Sequence, residues 1–119
     1  MNIETEKVFA LFRLFYNEAD ADEFLPVVTI AAKRTEKRLV CGEECDCTAV
    51  YYLAAAEALC CVLEIKAARE HLALTRTGAV PQEQDYSARL DYARQLYRSY
   101  EAACEGVIRD DSFIFIRMR

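Results

Sequence analysis

The residues of this 119-residue chain whose types best suit chemistry are three cysteines near its middle. Cys41, Cys45 and Cys47 form a C-x3-C-x-C cluster, and thiolates this close together are potential ligands of zinc. A closed zinc site needs a fourth ligand, which would have to be a distant residue such as Cys104 or His71. The spacing matches no standard zinc knuckle. We therefore interpret the cluster as free thiols in a linker and expect no bound metal, with a structural zinc as the alternative.

Other chemistry-bearing residues are isolated from suitable partners. Cys60 and Cys61 lie in the most apolar part of the chain, where free cysteine packs as a small hydrophobic residue. His71 is the only histidine, and no nucleophile with an orienting group is set beside it. The chain has no glycine-rich phosphate loop and no carboxylate pair in apolar surroundings. We predict no catalytic residues, no cofactor and no enzymatic activity.

The elements that would position these residues are mainly helical, because apolar residues recur at intervals of three and four and Gly and Pro are scarce. Helices are predicted over residues 3–17, 23–40, 48–71 and 86–108. Asp22 is a candidate N-cap of the second helix, with Pro26 in its opening turn. The third helix is apolar nearly all round, which predicts the central position in a bundle.

The end of the chain has a different character. Residues 112–118 are aromatic and β-branched, a composition that favours a strand. A single strand is not stable alone, so Phe113, Ile114, Phe115 and Ile116 are predicted interface residues. The predicted fold is mainly α, a compact bundle of about four helices with a short C-terminal β-strand, in one domain over residues 1–119.

Charge suggests a second contact surface. The net charge of −5 disfavours a nucleic-acid binder, and no sequence-specific nucleic acid is expected as a partner. A local exception is a basic run on one side of the second helix, made of Lys33, Arg34, Lys37 and Arg38. Such a run suits a charged partner or a neighbouring subunit. The alternative is a solvated helix face.

The expected location is the cytoplasm. The first residues are acidic and lack the pattern of a secretory signal, so the six cysteines are interpreted as free thiols. No apolar stretch is judged long enough to span a bilayer, since Glu57 interrupts the run over 49–62. No membrane partner is therefore expected.

The order of these segments resembles a known family. The sequence D-E-F-L-P over 22–26, an Ala- and Tyr-rich third helix and the ending D-D-x-F-x-F over 110–115 are similar to small head–tail connector, or head-completion, proteins of tailed phages and prophages. The resemblance implies a helical subunit that forms a ring between portal and tail, without enzymatic activity or cofactor. It implies assembly roles for loop 75–85 and for Phe113, Ile114, Phe115 and Ile116. The cysteine-rich turn 41–47 and the short loop 75–85 depart from the family pattern.

The resulting functional prediction is a phage-derived structural protein that acts by self-association. Its expected partners are further copies of itself and other phage structural proteins, namely portal and tail. It would reside in the cytoplasm and enter a virion if the prophage is active. The alternative is a cytosolic helical adaptor or regulatory module, with a structural zinc at the 41–47 cysteine cluster.

Overall fold

The structure, a computed structural model, describes residues 3–39, 47–77, 86–105 and 108. These residues form a helical bundle, as predicted. Its helices are α1 (Thr5–Tyr16), α2 (Leu25–Arg38), α3 (Cys47–Thr77) and α4 (Tyr86–Ala103), with a 3-10 turn at Ala21–Phe24 between α1 and α2. The predicted strand over 112–118 lies outside the described residues.

The end of α1 shapes the connection to α2. Asn17 adopts a left-handed conformation with φ of 50°, and its N–H donates to the carbonyl of Arg13 at 2.9 Å. Asparagine tolerates this conformation better than most residues, so it can close the helix where glycine is more usual. The chain thereby turns sharply at Asn17, and residues 18–24 fold back before α2 begins.

The start of α2 differs from the prediction. Asp22 does not cap the helix, because the 3-10 turn comes first and makes Phe24 the N-cap residue, without a side-chain capping hydrogen bond. Asp22 instead forms an ion pair with Arg13 of α1. Pro26 lies in the first turn of α2, as predicted, where a missing N–H costs no helical hydrogen bond.

The central helix is α3, as predicted, and it contacts each of the other three helices. Its run of Ala54, Ala55 and Ala58 is completely buried. Small side chains allow neighbouring helices to approach closely, so larger residues from those helices complete the core. The largest of the fully buried side chains are Phe12, Phe24, Leu53, Val8, Val28, Val50 and Val62.

By length and composition alone, α3 is also long and apolar enough over Thr48–Leu72 to cross a membrane. The expectation that no stretch reaches this length is therefore wrong. Glu57 interrupts the run, but the mean hydropathy of the stretch remains high enough for a helix that could span a membrane. Half of the most apolar stretch is buried against the other helices, a pattern that the core helix of a bundle also produces.

Two boundaries differ from the prediction. Helix α3 continues to Thr77, and α4 ends at Ala103 rather than near residue 108. After α4 the N–H of Ile108 donates to the carbonyl of Cys104 at 3.3 Å, and Ile108 forms an isolated antiparallel bridge with Leu39. The last described residue therefore lies against the C-terminal end of α2.

Candidate interaction surface

An open groove runs between α1 and α4. Both helices pack on α3 but scarcely approach each other, so the surface of α3 forms the floor between them. The groove has a volume of about 400 Å³. It is lined by Phe15, Tyr16, Glu18, Leu59, Leu63, Arg89, Tyr92, Ala93 and Leu96. We call this set of residues the α1/α4 groove.

The lining of the α1/α4 groove is largely apolar. Leu59 and Leu63 of α3 form a buried floor, while Phe15 and Leu96 on the walls are only half-buried. The side chain of Tyr92, on the α4 wall, is 72% exposed. Leu14 of α1 is 74% exposed but does not line the groove. Among the described residues, these are the two most exposed large hydrophobic side chains.

Aromatic rings close one end of the groove. Tyr52 of α3 and Tyr100 of α4 stack with ring centroids 5.3 Å apart. Phe15 of α1 contacts both, at 6.1 Å from Tyr52 and 6.2 Å from Tyr100. All three rings remain partly accessible. They act as spacers that join the two walls while keeping their backbones apart.

Charged residues close the other end. Arg89 of α4 lies 3.5 Å from Glu18, which follows α1. Lys66 of α3 donates to Glu18 at 2.8 Å and lies 3.0 Å from Asp20. The Tyr16 hydroxyl donates to Asp20 at 2.7 Å, and the Lys66 ammonium lies 4.9 Å from the centre of the Tyr16 ring. We call Tyr16, Glu18, Asp20 and Lys66 the Lys66 network.

The Lys66 network holds its members in their ordinary charge states. The hydrogen bond from Lys66 lowers the pKa of Glu18, and the hydrogen bond from Tyr16 lowers that of Asp20. Desolvation opposes the charge of Lys66, but hydrogen bonds to Glu18, Tyr16 and Asp20 outweigh it and raise the pKa of the ammonium. Burial raises the pKa of Tyr16. A lysine held protonated in this way is unsuited to nucleophilic catalysis.

Beyond Glu18 the surface continues into a polar depression of about 380 Å³. Its lining includes Arg13, Asn17 and Asp22 as well as Glu18, so Glu18 belongs to both features. The α1/α4 groove thus passes from aromatic to aliphatic to charged along its length. Such a gradient suits a ligand with an apolar part followed by a polar end.

The described thiols are poor nucleophiles. Burial raises the pKa of Cys60 to about 11 and also raises that of Cys61, while Cys104 is fully buried. Within residues 3–39, 47–77, 86–105 and 108, no group of three or more His, Cys, Asp or Glu side chains is placed to hold a metal ion. The zinc candidates Cys41 and Cys45, and the side chain of Cys47, lie outside the described residues.

Three members of the predicted basic run lie on the outer surface of α2. Lys33, Arg34 and Lys37 are exposed. The Arg34 guanidinium lies 3.8 Å from the carboxylate of Glu57, the single acidic residue within the apolar run of α3. The same carboxylate accepts a hydrogen bond from Thr35 at 3.3 Å. Glu57 therefore ties the basic side of α2 to the central helix.

Arg38 does not belong to this exposed surface. The residue is only 7% exposed, and its guanidinium donates to the Tyr97 hydroxyl at 2.7 Å and to Glu101 at 2.9 Å. Burial raises the pKa of Tyr97 to about 12, so the phenol stays neutral. The prediction that Arg38 lies with the other three residues on the exposed basic side of α2 was therefore wrong, because Tyr97 and Glu101 of α4 bind its guanidinium in a buried position.

Comparison of the chain with protein-family models, with curated proteins and with solved structures finds no match.

The other predicted interface residues, Phe113, Ile114, Phe115 and Ile116, lie outside the described residues, as does most of loop 75–85. Sequence reasoning missed the α1/α4 groove, which combines three helices distant in the chain. Its one local signal was Tyr92, a large aromatic residue among the polar positions of α4.

Proposed function

We propose that this protein is a phage-derived structural subunit, similar to head–tail connector proteins, that acts by self-association and by contacts with portal and tail proteins. The observation that supports the proposal most is the α1/α4 groove. An open, largely apolar groove with the strongly exposed Tyr92 on one wall is costly to leave in water and is typical of a protein-binding surface.

The composition of the groove supports a protein partner. Tyr92, Tyr52 and Tyr100 present apolar ring faces and hydroxyls that tolerate water, a combination enriched at protein interfaces. The walls are rigid helices held by α3. A partner would therefore find the surface already formed, which reduces the entropic cost of binding.

The chemistry of the groove also supports binding rather than catalysis. Its charged end consists of paired groups, because Glu18 is engaged by both Lys66 and Arg89. The hydrogen bonds of Lys66 stabilise its charged form, and burial disfavours ionisation of Tyr16. Neither Lys66 nor Tyr16 is therefore adjusted to exchange a proton near neutral pH, which is what a general acid or base requires.

The exposed side of α2 adds a second, charged contact surface. Lys33, Arg34 and Lys37 face solvent on the helix that packs against α1 and α3. A subunit placed between portal and tail needs contacts with more than one neighbour. An apolar groove and a separate basic surface would allow two partners of different chemistry to bind together.

The first test is the gene neighbourhood, because connector genes are expected beside portal, protease and capsid genes. The second is cosedimentation of the full chain with portal rings encoded by the same genome. We expect binding that Tyr92→Ser weakens and that Leu72→Ser, an exposed substitution on α3 outside both surfaces, leaves unchanged. A gene among unrelated metabolic genes, or portal rings that sediment without the protein, would contradict the proposal.

A further inference from the structure

We infer that the α1/α4 groove binds the apolar C-terminal residues 113–118 of a second copy of this chain. The inference rests on the proposed function and names the contact through which self-association would occur. The groove is open among the described residues, and the chain carries one apolar segment, residues 113–116, beyond its last described residue. Each copy would then offer one groove and one segment.

The lengths of the two partners agree. From Tyr100 at the aromatic end to Arg89 at the charged end is about 16 Å along α4, at 1.5 Å per residue. Five residues of extended chain also span about 16 Å. The segment F-I-F-I-R over 113–117 would therefore reach from one end of the groove to the other.

The chemical order also agrees. The four consecutive apolar residues 113–116 match the aromatic and aliphatic part of the groove, and Arg117 follows where the lining becomes charged. At that end Glu18 has a long contact of 3.5 Å with the half-exposed Arg89. Arg117 of the second copy could displace Arg89 there without leaving an unpaired charge in a buried position. The segment would thus run from the aromatic end to Glu18.

The position of Ile108 favours a second copy over the molecule's own segment. Ile108 bridges to Leu39 at the end of α2, so the last described residue lies on the side of α4 that faces α2. Arg38 of α2 contacts that same side of α4. The groove lies on the neighbouring face of α4, which is turned towards α1. A segment of the same copy would have to start from the α2 side of α4, whereas the segment of a neighbouring copy can approach the groove directly.

Such a contact has a defined consequence for assembly. The groove and the segment are different surfaces, so the interface is heterologous and each copy retains one free groove and one free segment until the chain of contacts closes. If each copy is related to the next by the same rotation, and a whole number of these rotations completes a full turn, the repeated contact produces a ring. This is the geometry that the proposed function requires.

Photocrosslinking of the full chain tests the inference. A benzophenone amino acid replaces Phe115, and this variant is mixed with isotope-labelled unmodified chain before irradiation. We expect crosslinks between the two isotopic forms that map to α1 and α4 residues of the groove. Crosslinks confined to one isotopic form, crosslinks to α2, or no crosslinks would overturn the inference. The same probe at Ile30 is the control and should not label the groove.

A matched pair of variants distinguishes loss of binding from loss of folding. Tyr92→Ser and Ile30→Ser both alter exposed side chains, 72% and 53% accessible, so both proteins should fold. We expect Tyr92→Ser to lower the yield of groove crosslinks about tenfold, as truncation of a central interface residue does. Ile30→Ser should leave the yield unchanged. An equal yield from both would also overturn the inference, while portal binding that persists without these crosslinks would leave the proposed function intact.

Discussion

The contact of α1 with α2 is closed, whereas the space between α1 and α4 is open. Towards α2, the side chains that α1, α2 and α3 contribute are hidden from solvent, including Val8, Phe12 and Val28. Towards α4, Phe15 and Leu96 are half-exposed above a floor of leucines. The same helix thus takes part in a filled core on one side and in a groove on the other.

The difference lies in the side chains that occupy the two spaces. Ala54, Ala55 and Ala58 of α3 are completely buried and permit neighbouring helices to approach closely. In the groove, Leu59 and Leu63 form the floor, and the rings of Phe15 and Tyr100 lie in contact between the walls. We therefore expect substitutions on the closed side to affect stability and substitutions on the open side to affect association.

The largest effect is expected from Phe12→Ala. Phe12 is completely buried, so its truncation leaves a cavity and should lower the free energy of unfolding by about 3–5 kcal/mol. Phe15→Ala, on the open side of the same helix, should cost clearly less because water can fill the space. Urea denaturation of both variants measures the difference. Equal losses would show that the two sides of α1 are not distinct.

A smaller loss is expected from Arg38→Met. The substitution leaves Tyr97 and Glu101 without their charged donor, and because Glu101 is partly exposed we expect a loss of about 2 kcal/mol. Lys33→Met on the exposed face of α2 is the matched control and should change stability by less than about 0.5 kcal/mol. Comparable losses in the two variants would contradict the buried position of Arg38.

The Lys66 network predicts a specific dependence of stability on pH. The lowered pKa values of Glu18 and Asp20 give a contribution that is present above their ordinary values of 4.5 and 3.8 and is lost as pH falls. The raised pKa of Lys66 gives a contribution that is present below 10.5 and is lost only as pH rises through the raised value. Lys66→Met should lower stability by about 1–2 kcal/mol near neutral pH.

The same variant should weaken the acid dependence, because Glu18 and Asp20 would no longer gain from Lys66. Chemical denaturation of both proteins from neutral to acidic pH measures the two slopes. An unchanged slope in Lys66→Met would show that the network does not couple these groups.

The smallest effect on stability is expected from Tyr92→Ser. The side chain is mostly in solvent, so the free energy of unfolding should change by less than about 0.5 kcal/mol. Thermal unfolding at a low protein concentration measures this without a contribution from association. A large loss would mean that Tyr92 belongs to the core and not to the wall of a binding groove.

The helices and much of the closed side were predictable from sequence. The stripes containing Val8 and Phe12 in α1, and Val28 and Ala31 in α2, are local patterns with helical spacing, and all four residues are buried. The central place of α3 followed from its apolar composition. These features depend on neighbours within a few residues, which is the range over which periodicity carries information.

The open side and the buried arginine were not predictable in this way. Arg38 was assigned to an exposed run because its partners, Tyr97 and Glu101, lie about sixty residues later in the chain. The α1/α4 groove depends on how far apart two helices pack, which is decided by contacts among α1, α3 and α4 together. The end of α4 was misplaced because the apolar spacing continues past the residue at which the helix stops.

Self-association through the groove is tested most directly by measuring the mass of the full chain in solution by sedimentation over a wide range of concentration. We expect the unmodified protein and Ile30→Ser to associate to the same extent, and Tyr92→Ser to stay monomeric at concentrations at which the other two proteins associate. The contrary result is association that Tyr92→Ser leaves unchanged, or an unmodified protein that remains monomeric throughout.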